Sequence, residues 1–343
     1  MKLKTFASLM KGGKTPVLLR FKLMFSSFYR LSFFASMVDT VILERLSRGP
    51  VTATNLLGES GNDPSLRHAM ESWLGLGVRL GILKKDDKGY SLRGFLAKRL
   101  ARPENDAIRA LLREVASLHH FYIMQTPARL AQNDIWNASD QYDEHGDLVA
   151  RSSRNLEPFL FECIDRFFPE SVPGRLLEVG CGHAGYIMYV LDRNREFSAI
   201  GLELDPQVAE SARTAVKARG FDDRVTIMVQ DVREFRAQEQ FDILTLFNNI
   251  YYFPVEERIN LLKHLKGLLK PNGRIVITTG CVNGSIEFEL VNLIHASTRG
   301  WGRLPDKEEM LHQMFEAGFE HNSAIDLLPG NKYYAFTGCR PVG

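Results

Sequence analysis

Cysteine is scarce in this chain. Its 343 residues include four, Cys163, Cys181, Cys281 and Cys339, with no paired spacing. That excludes a disulfide framework and a zinc knuckle, and it suits a reduced, cytoplasmic setting. Long apolar runs are missing as well. The nearest approach, residues 16–43, is interrupted by Arg20, Lys22, Arg30 and Asp39, so neither a membrane-spanning helix nor a signal-peptide core is expected. Net charge is almost absent, with 43 Lys and Arg against 41 Asp and Glu, which removes any whole-chain argument for nucleic acid. No His, Cys, Asp and Glu cluster has metal-ligand spacing, so no metal is expected. Acids alone are lacking from the first 30 residues, which carry seven Lys or Arg and no Asp or Glu. Such a segment suits a membrane-surface or RNA-binding arm, or a helix packed on a partner subunit. Leu18, Leu19, Phe21, Met24, Phe25, Phe28, Leu31 and Phe34, at near-helical spacing, favour the helix on a partner.

The remaining composition, 45% apolar and 24% charged, is that of a globular protein long enough for two domains. The stretch with most chemical content is Leu176-Leu-Glu-Val-Gly-Cys-Gly-His-Ala-Gly185. A short strand, Arg175 to Val179, breaks into a glycine turn, and a helix follows from Tyr186. Gly180 and Gly182 let the backbone turn sharply and approach a ligand with no Cβ in the way, a path that a side chain at Gly180 would occupy. The helix start offers free N–H groups. Glu203, 21 residues after Gly182, ends a second apolar strand, where a nucleotide-type fold places the carboxylate that grips ribose hydroxyls. An adenosine-bearing cofactor is expected here.

Gly180, Gly182 and Gly185 also satisfy the dinucleotide fingerprint, but three features favour S-adenosylmethionine. Glu178 aims a carboxylate into the crevice, which repels a pyrophosphate and welcomes a cationic amine or sulfonium. The motif leaves roughly 170 residues after it, about one domain. A third strand from Val225 ends at the acid Asp231, suited to an adenine amine. On these residues the region from about Glu170 to Gly343 resembles the class I S-adenosylmethionine-dependent methyltransferases. Their glycine motif is matched by Glu178-Val-Gly180-Cys-Gly182, their ribose acid by Glu203 and their adenine-side acid by Asp231. Phe241 to Phe247 resembles their fourth strand and Leu269 to Thr279 their fifth. The resemblance implies a Rossmann-like α/β domain with a seven-stranded sheet, completed by a hairpin at Ala324 to Leu328 and Lys332 to Thr337. It further implies cofactor contacts from Leu204, Val232, Phe247, Asn248 and Ser153.

Residues 33–100 alternate short helical patterns with turns. Helices are expected at Phe34–Leu46, Val51–Leu57 and Asp63–Leu80, then a hairpin at Ile82–Leu92. Three helices and a hairpin make a winged helix. Its third helix mixes Arg67, His68, Glu71 and Arg79 with many apolar residues, a poor surface for reading bases. Thr52-Ala53, Gly77-Val-Arg-Leu-Gly-Ile-Leu83 and Gly89-Tyr-Ser-Leu92 resemble the dimerisation domain of small-molecule O-methyltransferases, which implies a homodimer. Further helices are expected at Asp106–Leu130 and Asp147–Phe168, with a loop at Gln132–Gly146. The division expected is 1–145, helical and winged-helix, and 146–343, methyltransferase.

For catalysis, the resemblance places Tyr251-Tyr252-Phe253 where the O-methyltransferases carry His-Asp-Trp. Tyr251 replaces the His that removes the acceptor's proton, and a phenol with a pKa of about 10 is a poor base at neutral pH. Tyr251 and His295, on a helix over the cleft, are the catalytic candidates. Asn249, Tyr252 and His120 are the substrate candidates. The expected function is methyl transfer to a small aromatic or polyketide-like metabolite, mainly by orientation. The alternatives are a methyltransferase-derived enzyme with another reaction and a winged-helix DNA-binding regulator that senses the cofactor.

Overall fold

The structure is a computed structural model and describes residues 13–168 and 172–342, without the side chains of Lys14 and of residues 139–145. Much of the basic N-terminal arm read from the sequence therefore lies outside the described residues. Contacts group the chain into two compact units, Met1–Leu118 and His119–Gly343, a division earlier than the 145/146 boundary expected from the sequence.

In the first unit the order is α1 (Lys14–Met37), α2 (Val41–Arg48), α3 (Ala53–Leu57), α4 (Pro64–Arg79), β1 (Leu83–Asp86), β2 (Gly89–Leu92), α5 (Gly94–Leu100) and α6 (Asp106–Glu114). The local chemistry explains most boundaries. Asp63 caps α4 by accepting from the Ser65 and Leu66 amides at 2.7 and 3.3 Å, with Pro64 in the first turn, as an N-cap and a Pro at N1 should. Thr52 caps α3. β1 and β2 pair antiparallel across a turn between Asp86 and Gly89. The expected helix Phe34–Leu46 is instead two helices. Asp39 sits at φ +60°, and the Thr40 hydroxyl donates to the Met37 carbonyl, so the chain turns between them. Phe33, Phe34, Met37, Leu43, Leu46, Leu74, Ile82 and Leu83 form this unit's core.

The second unit contains α7 (His120–Ala131), β3 (Trp136–Asn137), α8 (Ser139–Ser153), α9 (Glu157–Phe167), β4 (Gly174–Val179), α10 (Gly185–Arg193), β5 (Phe197–Glu203), α11 (Pro206–Ala218) and β6 (Val225–Val229). It continues through β7 (Phe241–Phe247), α12 (Arg258–Leu268), β8 (Leu269–Gly280), α13 (Ile286–Ala296), β9 (Thr298–Arg299), α14 (Lys307–Glu316), β10 (Glu320–Leu328) and β11 (Tyr333–Cys339). The seven-stranded sheet has the order β10-β11-β8-β7-β4-β5-β6. Strands β6, β5, β4, β7 and β8 run parallel; β11 is reversed and pairs antiparallel with both its neighbours, β8 and β10. Successive residues serve opposite layers: Leu176 and Ile243 join the core with α9 and α10, Leu177 and Leu244 the core with α12 and α14. The strand order reverses at β4, so a crevice opens at the carboxyl ends of β4, β5 and β7.

Three sequence expectations are corrected here. The bridging pattern 106–130 is two helices joined by a wider π turn at Val115–His119. The expected helix 147–168 is α8 and α9, separated by a tight turn at Arg154–Leu156, with Pro158 opening α9. The expected loop at 132–146 includes β3, which pairs in parallel with β9, and the start of α8.

Candidate active site

After Val179 the chain passes through Gly180, Gly182 and Ala184, all in the left-handed region at φ +65°, +53° and +58°. Glu203, at the end of β5, folds back over this loop. Its Oε2 accepts from the Gly182 amide at 2.9 Å, and its Oε1 from the Leu204 and Asp205 amides at 2.8 and 3.1 Å. Burial pushes its pKa up, against the pull of those three donors. A Cβ at Gly182 would project into open space, so this glycine keeps the crevice side of the loop bare. Gly180, whose left-handed φ makes the sharp turn expected from the sequence, has a further role. A Cβ there would lie 2.6 Å from Asn249 Nδ2, and that amide donates to the Val179 carbonyl. Asn249 thus pins the end of β4, with its Oδ1 buried and unpartnered among the described residues.

Glu178 is 1% exposed, and its Oε2 likewise has no partner among the described residues. Burial pushes its pKa well above the usual carboxylate range; an Ile187 amide bond opposes this and the charge of Glu203 adds to it. Leu204 and Val229 present exposed apolar side chains at the ends of β5 and β6. Asp231 is gripped by Arg233, whose Nε lies 3.1 and 3.0 Å and Nη2 2.6 Å from the carboxylate oxygens. Burial raises the pKa of Asp231, but the Arg233 bonds outweigh it and hold the carboxyl below its ordinary value. The sequence reading missed this guanidinium. Val232 is buried, its carbonyl bonded at 2.9 Å to the His264 ring. The Ser153 hydroxyl donates to Ala150 of its own helix at 2.9 Å. α8 nevertheless borders the crevice, with Asp147 Oδ1 3.8 Å from His183 Nε2 in the glycine loop.

On the other side of the crevice, Phe247 meets Tyr186 edge to face, with centroids 5.2 Å apart. Asn248 is left-handed at φ +55°; its amide donates to the Thr278 carbonyl, and its Oδ1 accepts from the Tyr333 hydroxyl at 3.0 Å. A tight turn then presents Tyr251 and Tyr252. Their rings lie 4.4 and 4.8 Å from the His295 imidazole, and Trp301 stacks on the same imidazole at 4.8 Å. The structure therefore brings Tyr251, Tyr252 and His295 together and adds Trp301. His295 Nδ1 bonds the Val291 carbonyl at 2.8 Å, while Nε2 is buried and unpartnered among the described residues. Burial lowers its pKa to about 4, opposed by the Val291 bond and aided by the charge of Arg258, so the ring is neutral at pH 7. His120 is exposed at the first turn of α7, beside a buried His119. Arg258, absent from the sequence reading, is fully buried. Its Nε donates to the Phe253 carbonyl at 3.1 Å and its Nη2 to Arg303.

Comparison with known proteins gives this geometry its context. Residues 176–273 match the family model described as a methyltransferase domain. A methyltransferase, ungE', of Aspergillus campestris is 32% identical over 107 residues, 30% of this chain and 31% of that protein. The chain thus matches about a third of the length of this curated relative. Two solved structures are similar over both units. Mitomycin 7-O-methyltransferase MmcR has a TM-score of 0.77 at 16% identity, covering 96% of this chain and 99% of that one. Human N-acetylserotonin methyltransferase has a TM-score of 0.65 at 15% identity, covering 96% and 98%. The methyltransferase-domain match thus spans strands β4 to β8 of the sheet, with the glycine loop and Glu203 inside it. The chain shares the two-unit fold of small-molecule O-methyltransferases across almost its whole length.

The residues present fit S-adenosylmethionine. Glu178 offers an unused buried carboxylate oxygen to a cationic group, and Gly182 opens onto free space. Glu203 keeps lone pairs beyond those used by three amides, and the exposed Leu204 and Val229 side chains would flank a flat base. Among the described residues no group of three or more His, Cys, Asp or Glu is placed to hold a metal.

Proposed function

We propose that this protein transfers a methyl group from S-adenosylmethionine to a small aromatic or polyketide-like acceptor. The observation that carries the reading is Glu203 drawn onto the Gly182 amide, inside the region matching the methyltransferase family. Glu203 would hold the ribose hydroxyls, Glu178 the cationic end and Asp231 the adenine edge, with Leu204, Val232, Phe247, Asn248 and Ser153 completing the cofactor side. The bound cofactor supplies an electrophilic methyl on a good leaving group. The protein's own part is then to orient the acceptor and exclude water. Tyr251, Tyr252 and Trp301 supply flat walls for an aromatic acceptor, with Asn249 and His120 as further substrate contacts. The test is release of S-adenosylhomocysteine on incubation with S-adenosylmethionine and a panel of small phenols, polyketides and amines. No cofactor binding in calorimetry would remove the reading altogether.

Tyr251 shapes the pocket without being the essential base, because a phenol is a poor proton acceptor at pH 7. Tyr251→Phe is expected to retain turnover within about tenfold, since one neutral hydrogen bond is worth roughly 0.5–1.5 kcal/mol. A loss of a thousandfold or more at unchanged cofactor affinity would make Tyr251 the base. The same replacement of histidine by tyrosine favours one second reading, a cofactor-holding enzyme with a reaction other than methyl transfer.

The active form is proposed to be a cytoplasmic homodimer joined through the first unit. The support is α1, which exposes Leu18, Leu19, Phe21, Leu23, Met24, Phe25 and Phe28, more apolar surface than a stable monomer tolerates. No described helix is long and apolar enough to cross a membrane. Light scattering at micromolar concentration is expected to give twice the chain mass of 38.9 kDa; a monomer would contradict the assignment.

A further inference from the structure

Arg258 is among the largest side chains that the fold encloses completely, at 0% exposed. Its place works against it twice. It opens α12, where the helix dipole disfavours a cation. Burial draws its pKa down to about 10, which still leaves it charged at pH 7. No carboxylate among the described residues forms an ion pair with it: Glu309 is held by Arg303 in two bonds of 2.9 Å, and Glu257 reaches Arg233. A well-packed apolar residue of similar size would often cost the fold less. The guanidinium therefore does something that an apolar side chain cannot.

It joins two backbone segments. Nε donates to the Phe253 carbonyl at 3.1 Å and Nη2 to the Arg303 carbonyl. The first segment is the turn that presents Tyr251 and Tyr252, and the second presents Trp301. Gly302 lies between the two bonds. A Cβ there would collide with the Phe253 carbonyl and lie 2.6 Å from Nη2, and its amide donates to the Tyr251 carbonyl at 2.9 Å. The rings follow the backbone: Trp301 meets Tyr252 edge to face at 4.9 Å, and with Tyr251 they surround the His295 imidazole. All three rings are half-buried and reach solvent, whereas Arg258 does not. A planar fork of donors can hold two carbonyls in fixed geometry, which an ammonium on a flexible stem cannot. Past this segment the chain has other anchors, since the Leu304 amide donates to Asn292 Oδ1 at 3.0 Å and Arg303 is tied to Glu309.

We propose that Arg258 is a positioning residue for the acceptor. It fixes the separation between the Tyr251–Tyr252 turn and the Trp301 segment, and with it the aromatic walls, without touching acceptor or cofactor. The assignment rests on the methyltransferase reading above and adds to it a residue that acts only through its neighbours.

Trp301 itself reports this geometry in the full-length protein. Its emission is the difference between each protein and the same protein carrying Trp301→Phe, and reading it needs no acceptor. Acrylamide quenching of that component is expected to rise in Arg258→Met, with Arg258→Lys between it and wild type. Leu265→Ala, which removes another fully buried side chain of α12, controls for lost stability: it should lower the urea midpoint and leave Trp301 quenching unmoved. With an acceptor from the panel above, Arg258→Met should lose roughly ten- to a hundredfold in kcat/KM, the scale of a misplaced positioning group. The loss should lie in the acceptor KM, with kcat and the KM for S-adenosylmethionine close to wild type. Unchanged Trp301 quenching in Arg258→Met, an equal rise in Leu265→Ala, or a loss carried by kcat or by the cofactor KM overturns the proposal. If Arg258→Met does not fold, Arg258→Lys decides on the same readouts. Calorimetry with S-adenosylhomocysteine accompanies each sample. No binding to the wild type would fail the methyltransferase reading; intact binding with unmoved Trp301 quenching would fail only this inference.

Discussion

Replacing Glu203 with alanine is expected to weaken S-adenosylmethionine binding by about 1.5–3 kcal/mol, roughly ten- to a hundredfold in Kd. The carboxylate is poised for that loss. It stands at the end of β5 with both oxygens already ordered by the amides of Gly182, Leu204 and Asp205, so no reorganisation is needed to meet a diol. Removing it also releases the Gly182 amide and loosens the loop. Glu203→Gln keeps the shape but loses the charge and should fall between wild type and alanine. Calorimetry showing unchanged affinity for Glu203→Ala would refute the ribose assignment.

Gly180→Val should be the most damaging single change in the crevice, and chiefly a loss of stability. The position has φ +65°, which costs a β-branched residue on the order of 1–3 kcal/mol. The new side chain also collides with the Asn249 amide, and overpacking adds roughly 1–3 kcal/mol. Urea unfolding is expected to show a midpoint lowered accordingly. Asn249→Ala in the same chain should recover part of the collision cost and none of the backbone strain. A Gly180→Val protein within about 0.5 kcal/mol of wild type, the range of an ordinary surface substitution, would contradict the loop described here.

Much of this architecture is written locally. Apolar runs such as Leu176-Leu177 and Ile275 to Ile277, bounded by turn residues, mark the parallel strands, and the spacing from Gly182 to Glu203 marks the crevice. What the sequence reading missed depends on partners far along the chain or on backbone states without a residue signature. The turn at Asp39 uses a left-handed aspartate, and the π turn at Val115–His119 has no compositional cue. Arg258 follows two glutamates at a helix start and reads as solvent-facing. Its burial comes from the Trp301–Arg303 segment closing over it. Gly180 was identified for its freedom, but its neighbour Asn249 is visible only in three dimensions.

In the role proposed for it, Glu178 would tie the affinity for a cationic cofactor to the stability of the fold through the proton. Burial favours its neutral form, so above the ordinary carboxylate range the native chain holds a proton that the unfolded chain has released. Stability contributed by this group therefore declines as pH rises through that window. A cation beside the same oxygen favours the ionised form and expels the proton, so affinity rises over the same interval. The two quantities would then move in opposite directions with pH, since the ionisation that favours a bound cation is the one that weakens the fold.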